Sequence, residues 1–476
     1  MLISANSEPT PTLPSWWLEE ALRHEGGSRV AAPLEGEHEV DVAVIGAGYT
    51  GLWTALALRE REPDARVAVL EAATVGEGPS GRNGGFLHGY WSELAHLRAA
   101  FGADGALAVA GAGARIVPGV RAWCEAHEAD VWFREGGMLK VSAAAAQDAA
   151  VAAPVEAARA LGVADEAVEL SADELSERIR SPRFRGGVFF RDCATVQPAR
   201  LVRALRRAVL DAGIALHEQS PVLRLRSGDP SLLVLPHGRV RATEVVLAVN
   251  AAATGWRPLA GALTNFGSYV VLTEPVPELL AEIGWTGGEA VLDGRMFLHY
   301  FRTTPDGRVL MGSGSGAVGF GGRIDGRFSG DASAAGRAER GLRELLPALA
   351  GARIERAWGG PIDVSGDHLP FFGTLPDARV HYGAGYSGHG VGPSWLGGQI
   401  LASLACGRDD EWTRVPLARR RLPKLPPEPF RYLGGRAIRA AIMAAEEAGE
   451  AGRRAPLPVR ALAGVPARIG MRVGTR

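Results

Sequence analysis

The hydrophobic pattern first becomes regular at Val40, where VDVAVIG runs to Gly46. The run is too short for a buried helix and β-branched enough for a strand covered on both faces. A helical stretch from Thr50 to Arg61 is closed by Pro63-Asp64, and a second apolar run, RVAVLE, ends at Glu71. Together they make a strand-helix-strand unit of about 30 residues, the size of a parallel crossover. Residues 96–180 follow a helical period interrupted by VWFREGGMLKVS, which predicts a hairpin around Gly136-Gly137. Pro198 opens a helix over 198–212, and IALHEQSPVLRLR and TEVVLAVNA read as strands. From 256 to 330 alternating segments dominate, among them SYVVLTEP, RMFLHYFRTT and RVLMGSG, as in an antiparallel sheet with one covered face. A helix over 331–346, a strand at Val380-His381-Tyr382 and a helix from Pro393 to Ala405 complete the pattern. The predicted fold class is α/β.

Composition narrows the function. At 476 residues and 46% hydrophobic the chain can fill two cores. Lys+Arg 52 against Asp+Glu 53 leaves a net charge of −1, so no field gathers the chain on nucleic acid or anionic lipid, and neither is an expected partner. Cys124, Cys193 and Cys406 lie far apart with no CxxC, which points to buried thiols in a reducing compartment and to no metal site. The chain opens without a basic-then-apolar leader and holds no unbroken run of 18 apolar residues, so a cytoplasmic protein without an integral membrane segment is expected. Nothing in the composition fixes the oligomeric state.

With 63 glycines, short glycine motifs arise by chance and need context. GxGxxG occurs three times. Gly46-Ala47-Gly48-Tyr49-Thr50-Gly51 follows a strand, opens a helix and has Glu71 twenty residues after Gly51. That setting predicts a pyrophosphate on the helix N-terminus and ribose hydroxyls on Glu71. Gly314 to Gly319 leads into no helix and is a decoy. Gly383 to Gly388 runs on through His389-Gly390-Val391-Gly392 to a proline-initiated helix, whose outward N–H groups suit a second anionic group. Between the first unit and the rest, Val75 to Phe86 carries Ser80, Arg82 and Asn83 among glycines, as needed where backbone lies against a flat ring system.

With these motifs the chain resembles the flavin-dependent amine and amino-acid oxidases typified by D-amino acid oxidase, glycine oxidase and sarcosine oxidase, and within them most closely the gamma-glutamylputrescine oxidase-like members. The resemblance rests on Ser15-Trp16-Trp17-Leu18, Asp41 to Glu71, Ser80 to Gly85, Thr195 to Pro198, Val245 to Asn250, Tyr300-Phe301-Arg302, Asp367 to Pro370 and Gly385 to Gly392. It implies a discontinuous Rossmann-like FAD-binding domain over 37–95, 190–255 and 355–408. An α+β substrate domain with an antiparallel sheet would span 96–189 and 256–354. Residues 1–36 would be an N-terminal arm and 409–476 a tail with one amphipathic helix, packed on the surface or in a dimer contact. The adenosine would lie near Gly46, Gly48, Tyr49, Thr50, Gly51, Glu71 and the backbone at Val222. The isoalloxazine would lie near Ser80, Arg82, Asn83, Gly84 and Gly85 and near Gly388, His389, Gly390 and Val391. Some relatives attach the flavin through a cysteine near the position of Gly366-Asp367; this chain has none there, so its FAD is expected to be non-covalent.

The family reaction passes hydride from an amine-bearing carbon to flavin, giving an imine that hydrolyses, with oxygen reduced to hydrogen peroxide. The implied partners are therefore a small amine or amino acid and oxygen. Candidate catalytic residues are His299, Arg302, Tyr386 and His389, with Tyr269 and Tyr300 as further pocket residues. Alternation puts His299 and Phe301 on one face of the 296–302 strand and Tyr300 and Arg302 on the other, and leaves open which pair meets the flavin. Sarcosine-oxidase-like relatives use a lysine near the flavin to react with oxygen, whereas Lys140 and Lys424 fall outside the matching stretches. A dehydrogenase delivering electrons to a quinone or carrier therefore stays open as the alternative.

Overall fold

The computed structural model describes residues 2–4, 14–27, 30–314, 316–421 and 424–473. Two large sheets organise them. The first runs in the order Leu2–Ser4, Arg224–Arg226, Ser231–Val234, Gly238–Leu247, Gly36–Ile45, Val67–Leu70, Ala215–His217, with Val380–Ala384 and Phe371–Thr374 branching from Gly238–Leu247. Gly238–Leu247, Gly36–Ile45, Val67–Leu70 and Ala215–His217 pair in parallel, and so do Val380–Ala384 and Gly238–Leu247. The reason lies in the sequence: Gly36–Ile45 is polar and exposed over its first four residues and buried over its last four, VAVI, with Val42 and Val44 packed under helices and Ala43 and Ile45 in the cluster of Leu225, Leu233 and Trp256 on the other face. The helices Tyr49–Arg61 and Pro393–Ala405 pack closely on each other on this sheet. The chain thus delivers Gly46 and Gly385, each at the carboxyl end of a parallel strand, to one edge of the layer, where open α/β sheets place their ligands.

The second sheet has the order Ile354–Ser365, Leu263–Thr273, Val309–Ser313, His299–Thr303, Ala290–Asp293, Met138–Val141, Gly186–Phe190, Val168–Ser171. Apart from the parallel pair Ala290–Asp293 and Met138–Val141 it is antiparallel, as the alternation predicted. Two local expectations are corrected. VWFREGGMLKVS makes no hairpin: Gly136 and Gly137 bend the chain, and Met138–Val141 pairs instead with Ala290–Asp293 and Gly186–Phe190, where its apolar residues find cover. The boundary at 355 also moves, because Ile354–Ser365 pairs along its length with Leu263–Thr273, and the chain rejoins the first sheet only at Phe371–Thr374.

The ends of the chain pack on this body. Helix Trp16–His24, capped by Ser15, buries Trp16, Trp17 and Leu18 against the second sheet. The predicted tail helix forms over Phe430–Glu450, held by Glu450 to Arg295 and Gln147. Trp91–Ala126 is apolar and long enough on composition to cross a bilayer, yet Gly102 breaks it with a φ of 74°, and the helix resumes at Ile116–Ala126 only after a second interruption. The stretch from Gly102 to Gly113 then rises about 17 Å, short of a hydrocarbon core of about 30 Å.

Candidate active site

Gly46 and Gly51 make the first part of the site. Gly46 has a φ of +101°, and a Cβ on Gly51 would lie 1.9 Å from the Gly46 carbonyl oxygen. Only glycines let strand and helix meet this closely. Glu71 faces the same turn, and its carboxylate accepts from the N–H groups of Ala47 at 2.7 Å and Ala73 at 3.1 Å. Burial raises the Glu71 pKa above its ordinary value, opposed by those two N–H donors.

Ser80 ties this turn to the loop at 80–85. Its Oγ accepts from the Tyr49 N–H at 3.0 Å, at the N-terminus of helix Tyr49–Arg61. The loop itself is held from behind by three donors: Ser15 Oγ to the Gly81 carbonyl at 2.6 Å, Trp17 Nε1 to that of Asn83 at 3.0 Å, and Trp358 Nε1 to that of Arg82 at 2.9 Å. Asn83 closes it by accepting from the Gly85 N–H at 2.8 Å. Gly85, at a φ of +74°, has the Arg302 guanidinium directly beneath it, 3.2 Å from where a Cβ would stand.

In front of the loop opens a cavity of about 400 Å³. Arg82, Asn83, Gly84 and Gly85 form one wall and Gly388, His389 and Val391 another. The second sheet forms the floor with Ser268, Leu292 and Tyr300, the last hydrogen-bonded to Ser268 at 2.8 Å. The C-terminal tail forms the roof, with Phe430, Ile438, Val465, Ile469 and Met471. Three histidines, His88, His368 and His389, meet in the wall; His88 and His389 rings lie 5.9 Å apart. Burial pushes the His389 pKa down to about 4 and that of His368 to about 3, so both rings are neutral at pH 7. Behind them Glu93 receives Arg472 of the tail at 3.1 Å.

Comparison with known proteins agrees with this geometry. The model of the DAO family, described as FAD dependent oxidoreductase, matches residues 41–404. The chain belongs to the DAO family. Gamma-glutamylputrescine oxidoreductase of Escherichia coli is 31% identical over 79% of this chain and 86% of its own length. The probable oxidoreductase OrdL of Haemophilus influenzae is 26% identical over 79% of this chain and 85% of its own. Among solved structures, glycine oxidase from Geobacillus kaustophilus superposes with a TM-score of 0.66 at 22% identity, covering 81% of this chain and all of that one, and shares the fold.

FAD is the cofactor of the DAO family, and the residues present suit it. The Gly46–Gly51 turn leaves room for backbone to approach a pyrophosphate, since a Cβ on Gly48 would fill the gap to Ser80 Oγ at 2.9 Å. Arg302 is a second sign. It is 1% exposed, and its Nε and Nη2 find no acceptor among the described residues. Burial pushes its pKa down to about 9, leaving a positive charge under the Gly84-Gly85 backbone.

The nominated residues divide cleanly. Arg82, Asn83, Gly84, Gly85, Gly388, His389 and Val391 line the cavity, while Gly46 to Gly51, Glu71 and Ser80 stand together at the turn outside its lining. Val222 is buried beside that turn, two residues past Ser220, whose N–H donates to the Glu71 carbonyl. Gly390 packs on the Tyr386 ring. Four side chains are not in the cavity wall. His299 points to the opposite face, where its Nδ1 meets Asp293 at 2.7 Å and its ring abuts Gly341. Arg302 lies behind Gly85 instead of facing a substrate. Tyr386 is sealed between Phe372 and Thr50, its hydroxyl 2.8 Å from Thr50 Oγ1. Tyr269 turns away toward the Arg327 carbonyl.

Sequence reasoning passed over His88, His368, Trp358 and Asp363. His368 belongs to the Asp367 to Pro370 stretch but sits at a φ of 58°, so its direction could not be read from any periodicity. Asp363 accepts from the Gly385 N–H and from Asn250 Nδ2, and so fixes the turn that leads to Gly388. Burial raises its pKa to about 7.

Proposed function

We propose that the protein is an FAD-dependent oxidase that removes hydride from the amine-bearing carbon of a small amine or amino acid, leaving an imine that water hydrolyses, and passes the electrons to oxygen as hydrogen peroxide. FAD, when bound, supplies the two-electron acceptor. The observation that carries the reading is the chamber's composition: two glycine loops face an apolar floor, and among the described lining residues there is no Asp or Glu. An alkylammonium with a pKa of about 10 finds no counter-ion there, so the pocket favours the neutral amine, whose nitrogen lone pair must be free before hydride can leave. His389 is too weak a base to hold that proton, since it titrates near 4; the proton leaves for water on binding, and the neutral imidazole positions the amine. The backbone at Gly388 to Val391, leading into helix Pro393–Ala405, and the Arg302 cation beneath Gly85 would supply a positive field to FAD held there.

The names of the relatives support this class, one being a gamma-glutamylputrescine oxidoreductase and another a glycine oxidase of Bacillus licheniformis. A dehydrogenase is the second reading, favoured by one observation: no lysine lines the chamber among the described residues. Purified yellow protein mixed anaerobically with an amine panel tests the core reading. Bleaching by at least one amine is expected, and failure with every amine overturns it. Peroxide equal to substrate consumed on readmitting air supports the oxidase; none, with bleaching retained, supports the dehydrogenase. The FAD is non-covalent in this reading, because none of the three cysteines lines the chamber; acid precipitation should leave a white pellet and a yellow supernatant.

A further inference from the structure

The family match ends at residue 404, yet the chamber is closed only by residues beyond that point. Ile438 of helix Phe430–Glu450 and Val465, Pro466, Ile469 and Met471 farther on present carbon to it. Opposite them stand Phe266, Leu292, Met296, Phe297 and Val318, so the part of the chamber away from the glycine loops is walled by apolar side chains above and below. The tail is fastened at several points: Arg431 donates to the carbonyls of Ala260 and Leu263, Glu450 holds Arg295 at 2.6 Å, and Arg472 holds Glu93 at 3.1 Å. It is a wall built into the fold.

The charged side chains among the described residues that line the chamber are all cationic: Arg82 in the glycine loop, and Arg431 and Arg472 in the tail. Arg431 has Glu428 at 3.1 Å in addition to the two carbonyls, and the Arg472 guanidinium has Glu93 at 3.1 Å. His368 and His389 are neutral. Among the described lining residues no carboxylate faces the chamber, so a second ammonium on the substrate would be buried without a partner. A methylene chain or ring would instead leave water for a carbon-lined space.

We propose that the C-terminal segment 425–473 is the specificity wall of this site, and that it selects amines whose other end is apolar over diamines. The inference rests on the amine reading given above and adds the identity of the far end of the substrate. A cationic far end is rejected because its ammonium loses water and finds no carboxylate, and an apolar one is held by the tail.

The test compares hexylamine with 1,6-diaminohexane, which differ only in the far ammonium, by anaerobic flavin reduction with the full-length holoprotein. A dissociation constant at least tenfold lower for hexylamine is expected. Equal or tighter binding of the diamine overturns the proposal while leaving the amine reading intact; bleaching by no amine at all sinks the amine reading itself. Ile438→Asp and Ile469→Asp then place a carboxylate in the wall. Each should narrow the hexylamine preference by about tenfold or reverse it, with the flavin spectrum unchanged. Ile469 is 56% exposed at the rim, so its variant folds even if that at Ile438 does not. If Ile469→Asp leaves the ratio unmoved while the flavin is bound, the tail is not the wall.

Discussion

The two ends of the site are made of different material. At the end proposed for the nucleotide the surface is backbone: the Gly46–Gly51 turn, the first N–H groups of helix Tyr49–Arg61, and one carboxylate, Glu71, twenty residues on. At the reacting end it is side chains, brought from the 82–88 loop, the 292–300 strands, the 388–391 turn and the tail. A backbone site is specified by consecutive residues and tolerates no added atom; a side-chain chamber is specified by the fold and tolerates exchange. Substitutions at the first end should therefore abolish cofactor binding, while those at the second should retune chemistry or stability.

The sharpest break is Gly51→Ala. Its new Cβ meets the Gly46 carbonyl at 1.9 Å, backbone against backbone, with no flexible group to give way. FAD affinity should fall by two to three decades, about 3–4 kcal/mol, from strain of this kind. Titration of cofactor-free protein by flavin fluorescence, with circular dichroism to confirm folding, reads the effect. An FAD affinity unchanged by the substitution would falsify the cradle as drawn.

A smaller effect comes from protons at the other end. His368 and His389 are held by burial at about 3 and about 4, below an unfolded value of about 6.5. Their stability is present above about pH 6.5 and is lost as pH falls toward those folded values, because the unfolded chain takes up the protons first. Asp363, raised by burial to about 7, works in the opposite sense: its contribution is present below its unfolded value of about 4 and is lost as pH rises through 7. Asp192, raised by burial to about 7, works in the same sense as Asp363, and buried His88, lowered, in the same sense as the other two histidines, so the clean reading is the difference that one ring makes. Between about pH 6 and pH 4.5 His389→Asn should remove about 1.4 kcal/mol per pH unit from the acid-side loss of stability of the cofactor-free protein. Urea midpoints of wild type and variant across that range read the difference, and parallel slopes remove His389 from the account.

These contrasts also explain what could be read before the fold was known. The Gly46 unit, Glu71 and the Ser80 to Gly85 loop were legible because each is a local pattern whose geometry the residue types dictate. The antiparallel alternation was legible too, but period two gives two faces and not their partners. Only the pairing of Tyr300 with Leu292, on a face that meets Gly84, shows that Tyr300 faces the chamber and His299 does not. The tail helix was legible, but its place over the chamber had no local mark, because Ile438 and Ile469 line it together with residues from distant parts of the chain such as Tyr300 and Leu292.

That assignment of faces makes His299 a useful control. Removing its ring takes the Nδ1 partner from the Asp293 carboxylate, 1% exposed, and leaves it the N–H groups of His299 at 2.9 Å and Arg295 at 3.2 Å and the Arg295 guanidinium at 3.6 Å. His299→Ala should lower stability by about 2–3 kcal/mol in urea unfolding. Its rate of flavin reduction per bound FAD should stay within about twofold, since the ring does not touch the chamber. A tenfold loss of rate with stability intact would return His299 to the reacting side.

The smallest expected effect joins the two ends. Trp17 Nε1 donates to the Asn83 carbonyl from behind the loop, and the indole also lies 5.9 Å edge-on from Trp358 and 5.2 Å from the Arg302 guanidinium. Trp17→Phe keeps an apolar ring in the same core but removes one donor from a buried carbonyl, at a cost of about 1 kcal/mol. Ser15 and Trp358 still hold the neighbouring carbonyls of Gly81 and Arg82, so the loop should loosen locally without losing its course. The expected result is a flavin absorption band shifted by a few nanometres at nearly unchanged FAD affinity, because in the proposed arrangement the loop would face the ring and the Gly46–Gly51 turn would hold the pyrophosphate. A fall in affinity of tenfold or more would mean that the backbone cradle and the side-chain chamber are one mechanical unit, and that the division drawn between them is too sharp.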